Sequence, residues 1–338
     1  LGWNRGTRSL AVDVQREEGR ALVLRLVERA DLVVDNFRCG VHERLGLGFA
    51  ALERVNPSVV QLSISGYGPD GPLAHLPCFD PIMQGRSGLA RAQSGFDPTM
   101  YTVAYTDYAT ATMAALACVA ALVGRDSTAG DGRGQAAWTS LLANACVMQA
   151  GFLIEYAGRP ADPPGGVDLR GASAWKRAHA CADGWLFVAA ANAAERDALL
   201  RCLGVTQERC DDDAVDGTVA RAIAAALAPR PVADALERLR AAGVPAVGCP
   251  TFPGIVADDH LRANGLWWSS THPELGDVVQ TGEVIELSRT PMRLGPTAPR
   301  LGEHSVEVLR EAGIDEAAIE RALAAGVVRQ AEDGEGGR

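Results

Sequence analysis

Short apolar runs that read as strands alternate with stretches of helical spacing along the first part of the chain. Ser9-Leu10-Ala11-Val12-Asp13-Val14 alternates with period two, as a strand does. Arg16 to Ala30 carries Leu22, Leu24, Leu26 and Val27 at helical spacing, and Asp31-Leu32-Val33-Val34-Asp35 is a short apolar strand. A helix over Gly40 to Val55 then leads through Asn56-Pro57 to a further strand, Val59 to Ser65. Strands alternating with helices predict a parallel sheet in an α/β domain.

Gly66 to Pro81 is a loop rich in Gly and Pro, and Asp107 to Val123 reads as a helix of small residues. The run Gly130-Asp131-Gly132-Arg133-Gly134 is a tight turn, and the pattern after it predicts an apolar helix from Ala136 to about Tyr156. Arg159 to Gly171 is polar, holds three Pro and three Gly, and marks the main boundary. Beyond it, Gly184 to Ala190 reads as a strand, Ala194 to Leu203 and Pro231 to Ala242 as helices, and Val244 to Gly248 as an edge strand. A β-rich patch follows around Trp267-Trp268 and Val278 to Gln280, and a terminal helix over Ser305 to Ala312. The predicted organisation is a Rossmann-like parallel-sheet large domain (1–160) and a smaller α+β domain (161–290). A C-terminal segment (291–330) returns to the large domain, and a disordered tail (331–338) ends the chain.

Composition narrows the function classes. The 338 residues suffice for a substantial core, and 47% apolar with 22% charged residues is globular. A net charge of −10 argues against a nucleic-acid partner, whereas local Arg placement leaves an anionic ligand open. The most apolar stretch, Met113 to Val123, is too short for a membrane span, so no membrane partner is expected. Eight Cys without a C-x-x-C pair predict reduced, buried thiols in a cytoplasmic protein. The six His show no metal spacing, and neither a metal nor a bound cofactor is expected.

Several segments carry a resemblance. They are Arg8 to Asp13, Asp35-Asn36-Phe37-Arg38-Cys39-Gly40, Glu43-Arg44-Leu45-Gly46-Leu47-Gly48, Ser63-Ile64-Ser65-Gly66-Tyr67-Gly68 and Phe79-Asp80-Pro81. Gly132-Arg133-Gly134-Gln135, Ala242 to Ala246, His272 to Gly276 and Leu301-Gly302-Glu303-His304 complete the set. In this order and spacing the chain resembles the family III CoA-transferases, which include formyl-CoA and carnitine CoA-transferases and the related α-methylacyl-CoA racemases. The resemblance implies that family's fold, coenzyme A thioesters as substrate rather than cofactor, a small carboxylic acid as acceptor, and an interlocked homodimer. The family pattern also starts with an additional βαβ unit, about 30 residues or more, that this chain lacks.

From position alone, Asp107 is an acid at a helix start, where an N-cap role is commonest. The resemblance instead implies that Asp107 is the carboxylate nucleophile, with helix N-terminal amides available to a developing oxyanion. It also implies CoA contacts at Val12, Asp13, Val14 and Gln15, at Asn36, Phe37 and Arg38, at Arg44, and at Pro77, Cys78, Phe79 and Asp80. Without it, Arg44 reads as a solvated helix Arg pairing with Glu43 or Asp35, and Phe37 as core. Gly165-Gly166 and Gly171 to Ala174 stand where transferases keep a mobile glycine loop; a flexible linker is the equal alternative. The racemase branch carries a His immediately before the Asp of Phe79-Asp80, and a phenyl ring cannot carry a proton. The reading is therefore a CoA-transferase. A racemase or isomerase on the same scaffold, and a non-catalytic partner subunit or fragment of the family, stand as alternatives.

Overall fold

In the computed structural model, two segments rich in β-branched residues and leucine pair with the alanine-led segment from Ala136 as a three-stranded parallel sheet whose central strand is buried along nearly its whole length. Residues 2–94, 100–159, 169–206 and 214–331 are described. The chain divides into two compact units, Leu1–Gly165 with Ser269–Val278 and Pro291–Arg338, and Gly166–Trp268 with Val279–Thr290.

The first unit opens with β1 (Ala11–Val12), α1 (Glu17–Val27), β2 (Leu32–Asp35), α2 (Val41–Arg44), α3 (Phe49–Val55) and β3 (Val60–Ser65). It continues with α4 (Asp80–Arg86), α5 (Leu89–Ser94), α6 (Tyr105–Asp126), β4 (Ala136–Ser140) and α7 (Leu141–Met148). The sheet order is β2-β3-β4, with Leu32 opposite Val60 and Gln61 opposite Ala136, both pairings parallel. Val27, Leu52 and Val59 pack on one another beside β2. Leu62 packs against Ala114 and Cys118 of α6.

The run from Ala136 is a strand followed by a short helix, not the single apolar helix its alanines suggest. Long-range pairing with β3 overrides local propensity here. The approach is close: a Cβ on Gly134 would collide with the Val59 carbonyl, so only glycine lets the chain enter beside β3. The helix predicted over Gly40 to Val55 is two helices, broken where Gly46 takes a φ of +72°.

Helix α6 is longer than its apolar run suggests, at 22 residues. By length and composition it is the one helix among the described residues apolar enough to cross a membrane, which corrects the expectation that this stretch is too short. Its buried positions Thr106, Thr110, Ala114, Cys118 and Ala121 recur at helical spacing and form one stripe. Met113, Leu116, Val119 and Val123 are exposed. Of the seven described thiols, all free, only Cys118 is buried and Cys249 is exposed, so the expectation of uniformly buried cysteines does not hold.

The second unit holds a four-stranded antiparallel sheet, β5 (Gly171–Ser173), β6 (Lys176–Ala180), β7 (Trp185–Ala189) and β8 (Ala246–Gly248), in that order. Helices α8 (Ala193–Leu203), α9 (Thr218–Leu227), α10 (Val232–Ala241), α11 (Phe252–Val256) and α12 (Asp259–Ala263) accompany it. Leu186 and Val188 of β7 pack with Leu199, Ile223, Leu227 and Leu239 in one core. Gly171 to Ser173 is therefore strand, and Ala174 is fully buried; neither is a glycine loop. Gly165-Gly166 and most of the polar linker lie outside the described residues, as does the tail from 332 onward.

Strands β9 (Trp267–His272) and β10 (Gly276–Thr281) pair with each other. The chain ends in α13 (Ser305–Glu311), α14 (Glu316–Ala324) and β11 (Val328–Arg329). The period-two segment at Ser9 to Val14 forms only β1 and does not join the parallel sheet. It pairs antiparallel with β11, because Leu10 and Val12 find their apolar partners in Leu309, Ile319 and Val328.

One side chain in the second unit is out of keeping with its surroundings. His179 in β6 is 1% exposed, and neither ring nitrogen has a hydrogen-bond partner among the described residues. Burial, then the Arg177 charge, lowers its pKa from 6.5 to about 4. The folded state thus refuses a proton that the unfolded chain accepts, and stability falls as pH drops from 6.5 toward about 4. We expect a slope from this group approaching about 1.4 kcal/mol per pH unit in that window. Urea unfolding at several pH values should show the slope in the parent and its loss in His179→Leu.

Candidate active site

The parallel strands end together, and a cleft of about 750 Å³ opens beyond their carboxyl ends. β2 leads into Asn36, Phe37 and Arg38, β3 ends in Ile64, Ser65 and Gly66, and Leu141 follows β4; all line the cleft. Cys78 to Pro81, Tyr101, Ala104 and Asp107 close other sides. This is where open parallel sheets bind ligands, and the volume suits a small organic molecule.

Two buried carboxylates set the geometry. Asp35, at the end of β2, accepts from Ser63 Oγ (2.7 Å) and Gln61 Nε2 (3.2 Å) with Oδ2 and from the Phe37 N–H (3.2 Å) with Oδ1. These bonds fix the turn that carries Asn36 to Arg38 into the cleft. His42 stands nearby, its Nε2 2.9 Å from Glu43 Oε1 and its Nδ1 3.7 Å from Asp35 Oδ1. Sequence reasoning did not single out Asp35, although its place at a strand end before Asn36 was the available signal.

Asp80 is 5% exposed and has no ion-pair partner among the described residues. Its Oδ2 accepts from the Thr106 N–H (2.8 Å), Thr106 Oγ1 (2.6 Å) and the Asp107 N–H (3.3 Å), and its Oδ1 accepts from Gln84 Nε2. Gln84 in turn holds the Tyr101 backbone, accepting from its N–H at 2.8 Å and donating to its carbonyl at 3.2 Å. Asp80 thus caps α6 from outside that helix, satisfying amides that otherwise lack partners.

That arrangement corrects two expectations about Asp107. It is not an N-cap: the capping position is Ala104, which makes no side-chain cap bond. Nor are the first amides of α6 open to an oxyanion, because Asp80 occupies those of Thr106 and Asp107. Asp107 lies in the first turn, exposed, on the cleft wall. Its carboxyl is raised above the usual range, by burial first and by the Asp80 charge second. Here desolvation and like-charge repulsion outweigh the helix dipole. The neighbouring Cys78 thiol is raised too, by burial and then by Asp107 and Asp80. Its close seat requires Gly66, where any Cβ would overlap that of Cys78.

The cleft therefore gathers Asn36, Phe37, Arg38, Cys78, Phe79, Asp80 and Asp107. It does not gather the remaining candidates. Pro77 adjoins the lining without joining it, and Val12, Asp13, Val14 and Gln15 lie at β1 and the start of α1, where Asp13 Oδ1 accepts from the Gln15 N–H. Arg44 is exposed on α2, outside the lining, and pairs with neither Glu43 nor Asp35. Arg38 is the only cation among the described lining residues.

A family model described as CoA-transferase family III matches residues 1–305. The chain is 30% identical over 331 residues to the succinyl-CoA–D-citramalate CoA-transferase of Chloroflexus aurantiacus, covering 91% of this chain and 78% of that protein. It is 28% identical over 358 residues to the succinyl-CoA:glutarate CoA-transferase of Mus musculus, covering 98% and 78%. Among solved structures, a CAIB/BAIF family protein from Brucella suis superposes with a TM-score of 0.78 at 27% identity, over 91% of this chain and 82% of that one. Rv3272 from Mycobacterium tuberculosis shares the fold, with a TM-score of 0.73 at 23% identity over 91% and 85%. The match runs through every segment that builds the cleft, and the chain is an enzyme of the CoA-transferase type that belongs to CoA-transferase family III.

Proposed function

We propose that this chain moves coenzyme A from an acyl-CoA donor to a free carboxylic acid, with Asp107 as the covalent nucleophile. The observation that carries the reading is the place of Asp107, an exposed carboxylate on the wall of the cleft at the carboxyl ends of the strands. An Asp107 oxygen attacks the donor thioester carbon; the C–S bond breaks, and a mixed anhydride and the CoA thiolate result. The thiolate then attacks the aspartyl carbonyl, forming an aspartyl thioester and releasing the donor carboxylate. The acceptor carboxylate attacks that thioester to give a second anhydride and thiolate. Attack of the thiolate on the acceptor carbonyl yields the new acyl-CoA and restores Asp107. No net proton, electron or metal is required. Curated relatives named for succinate, glutarate and citramalate support small carboxylic acids as the acid class.

Phe79 precedes Asp80 in the lining and has no ionisable group, which speaks against a racemase on this scaffold. Asn36, Phe37 and Arg38 are the proposed CoA contacts, with Arg38 forking onto a phosphate. A homodimer is proposed as well, for which the exposed Met113, Leu116, Val119 and Val123 of α6 offer apolar surface.

Three outcomes test this reading. Asp107→Ala should abolish transfer while CoA binding survives. Hydroxylamine added after an acyl-CoA should label Asp107 in the parent and nothing in the variant; substantial turnover by the variant would rule Asp107 out. Arg38→Ala should weaken CoA binding by about 1.5–3 kcal/mol, tenfold or more, with a smaller loss for Arg44→Ala. Calorimetry giving the reverse order would move the phosphate contact to α2. Sedimentation at nanomolar concentration should show a dimer, and a monomer there would remove interlocking.

A further inference from the structure

The cleft holds a second carboxylate with no assigned task in the transfer chemistry. Asp80 is buried, makes no ion pair among the described residues, and directs one oxygen at the first turn of the helix that bears Asp107. Burying a carboxylate without a cation is costly unless hydrogen bonds and a helix N-terminus compensate it. Here three donors converge on one oxygen and a fourth reaches the other. A neutral cap such as serine would satisfy the same amides without placing a negative charge beside the nucleophile. The charge is thus more than capping requires.

We propose that Asp80 is a positioning residue for Asp107: one oxygen locks the first turn of α6, and its charge makes the Asp107 carboxylate more reactive. The inference rests on Asp107 being the nucleophile. A carboxylate held beside another is more basic and a better nucleophile, and its acylation removes one of the two repelling charges. The effect therefore favours the covalent intermediate over the free carboxylate. Gln84 extends the lock to the cleft loop, since it bonds both Asp80 and the Tyr101 backbone, and the Tyr101 ring stands edge-on to Tyr105 at 4.5 Å.

The other groups around Asp107 do not supply this charge. Cys78, Arg38 and Tyr101 share the cleft, and Tyr105 and Tyr108 flank Asp107 on α6. From α4 the further titratable group is Arg86, in its last turn. β3 brings Ile64 and Ser65 to the cleft and α7 brings Leu141, all uncharged, while Cys146 of α7 lies outside the lining and β4 has no titratable residue.

The test is the pH dependence of single-turnover adduct formation, captured with hydroxylamine, in the whole chain and in Asp80→Asn and Asp80→Ser. The amide of Asp80→Asn can still accept from α6 but turns a donor toward Gln84, so the serine variant provides an independent neutral cap. Asp107 must be ionised to attack. Burial and Asp80 both raise its pKa, so removing the Asp80 charge lowers it. The acid limb of the profile is expected to move to lower pH in whichever variant folds, with a slower maximal rate and little change in KM for the acyl-CoA. An unmoved acid limb, a folded variant that forms no adduct at any pH, or failure of both variants to fold would overturn the proposal. Turnover by Asp107→Asn would instead sink the nucleophile assignment, which keeps the two failures distinct.

Discussion

The parallel pairing of β3 with both its neighbours is the constraint on which the rest of the first unit depends. It places the ends of β2, β3 and β4 side by side, so that three separate loops open on one cleft. Gly134 admits β4 beside β3, and Leu62 holds α6 across the strand through Ala114 and Cys118. Once α6 is fixed there, its first turn has one location, and Asp80 reaches it from α4. The position of Asp107 follows from backbone pairing and packing before any ligand contact is considered.

The two buried carboxylates work in parallel ways. Asp35 closes the turn after β2 and sends Asn36 to Arg38 into the cleft; Asp80 closes the start of α6 and presents Asp107. Each is satisfied by hydrogen bonds from backbone amides and neutral side chains rather than by a salt bridge to Arg or Lys. Among its described residues the lining carries the carboxylates of Asp80 and Asp107 and one cation, Arg38.

Much of this was legible in sequence because the informative pieces are local. Asp35-Asn36-Phe37-Arg38 follows a predicted strand and Asp107 falls in the first turn of a predicted helix, and both hold in the structure, whereas Phe79-Asp80-Pro81 reads as the end of a loop and opens a helix instead. Several of the failures are cases where a distant partner decides. Ala136 to Ser140 has the composition of a helix and becomes a strand only because β3 is there to pair with it. Ser9 to Val14 alternates correctly, but its partner is the last strand of the chain rather than the parallel sheet. Asp80 lines the cleft, and the bonds that also make it the cap of α6 run to residues 26 and 27 positions away, beyond the reach of a local pattern. Arg44 and the segment Val12 to Gln15 match the family's motifs, yet neither lines the cleft.

The central claim is that the Asp107 carboxylate itself becomes acylated, and the fate of oxygen tests it most directly. An acceptor acid labelled with heavy oxygen in its carboxylate gives one labelled atom to the nucleophile in every completed transfer. The account predicts that, after turnover, mass spectrometry finds the label in the peptide containing Asp107 and at that side chain. Label on Asp80 or any other carboxylate, or its absence from the protein after product has formed, would contradict it.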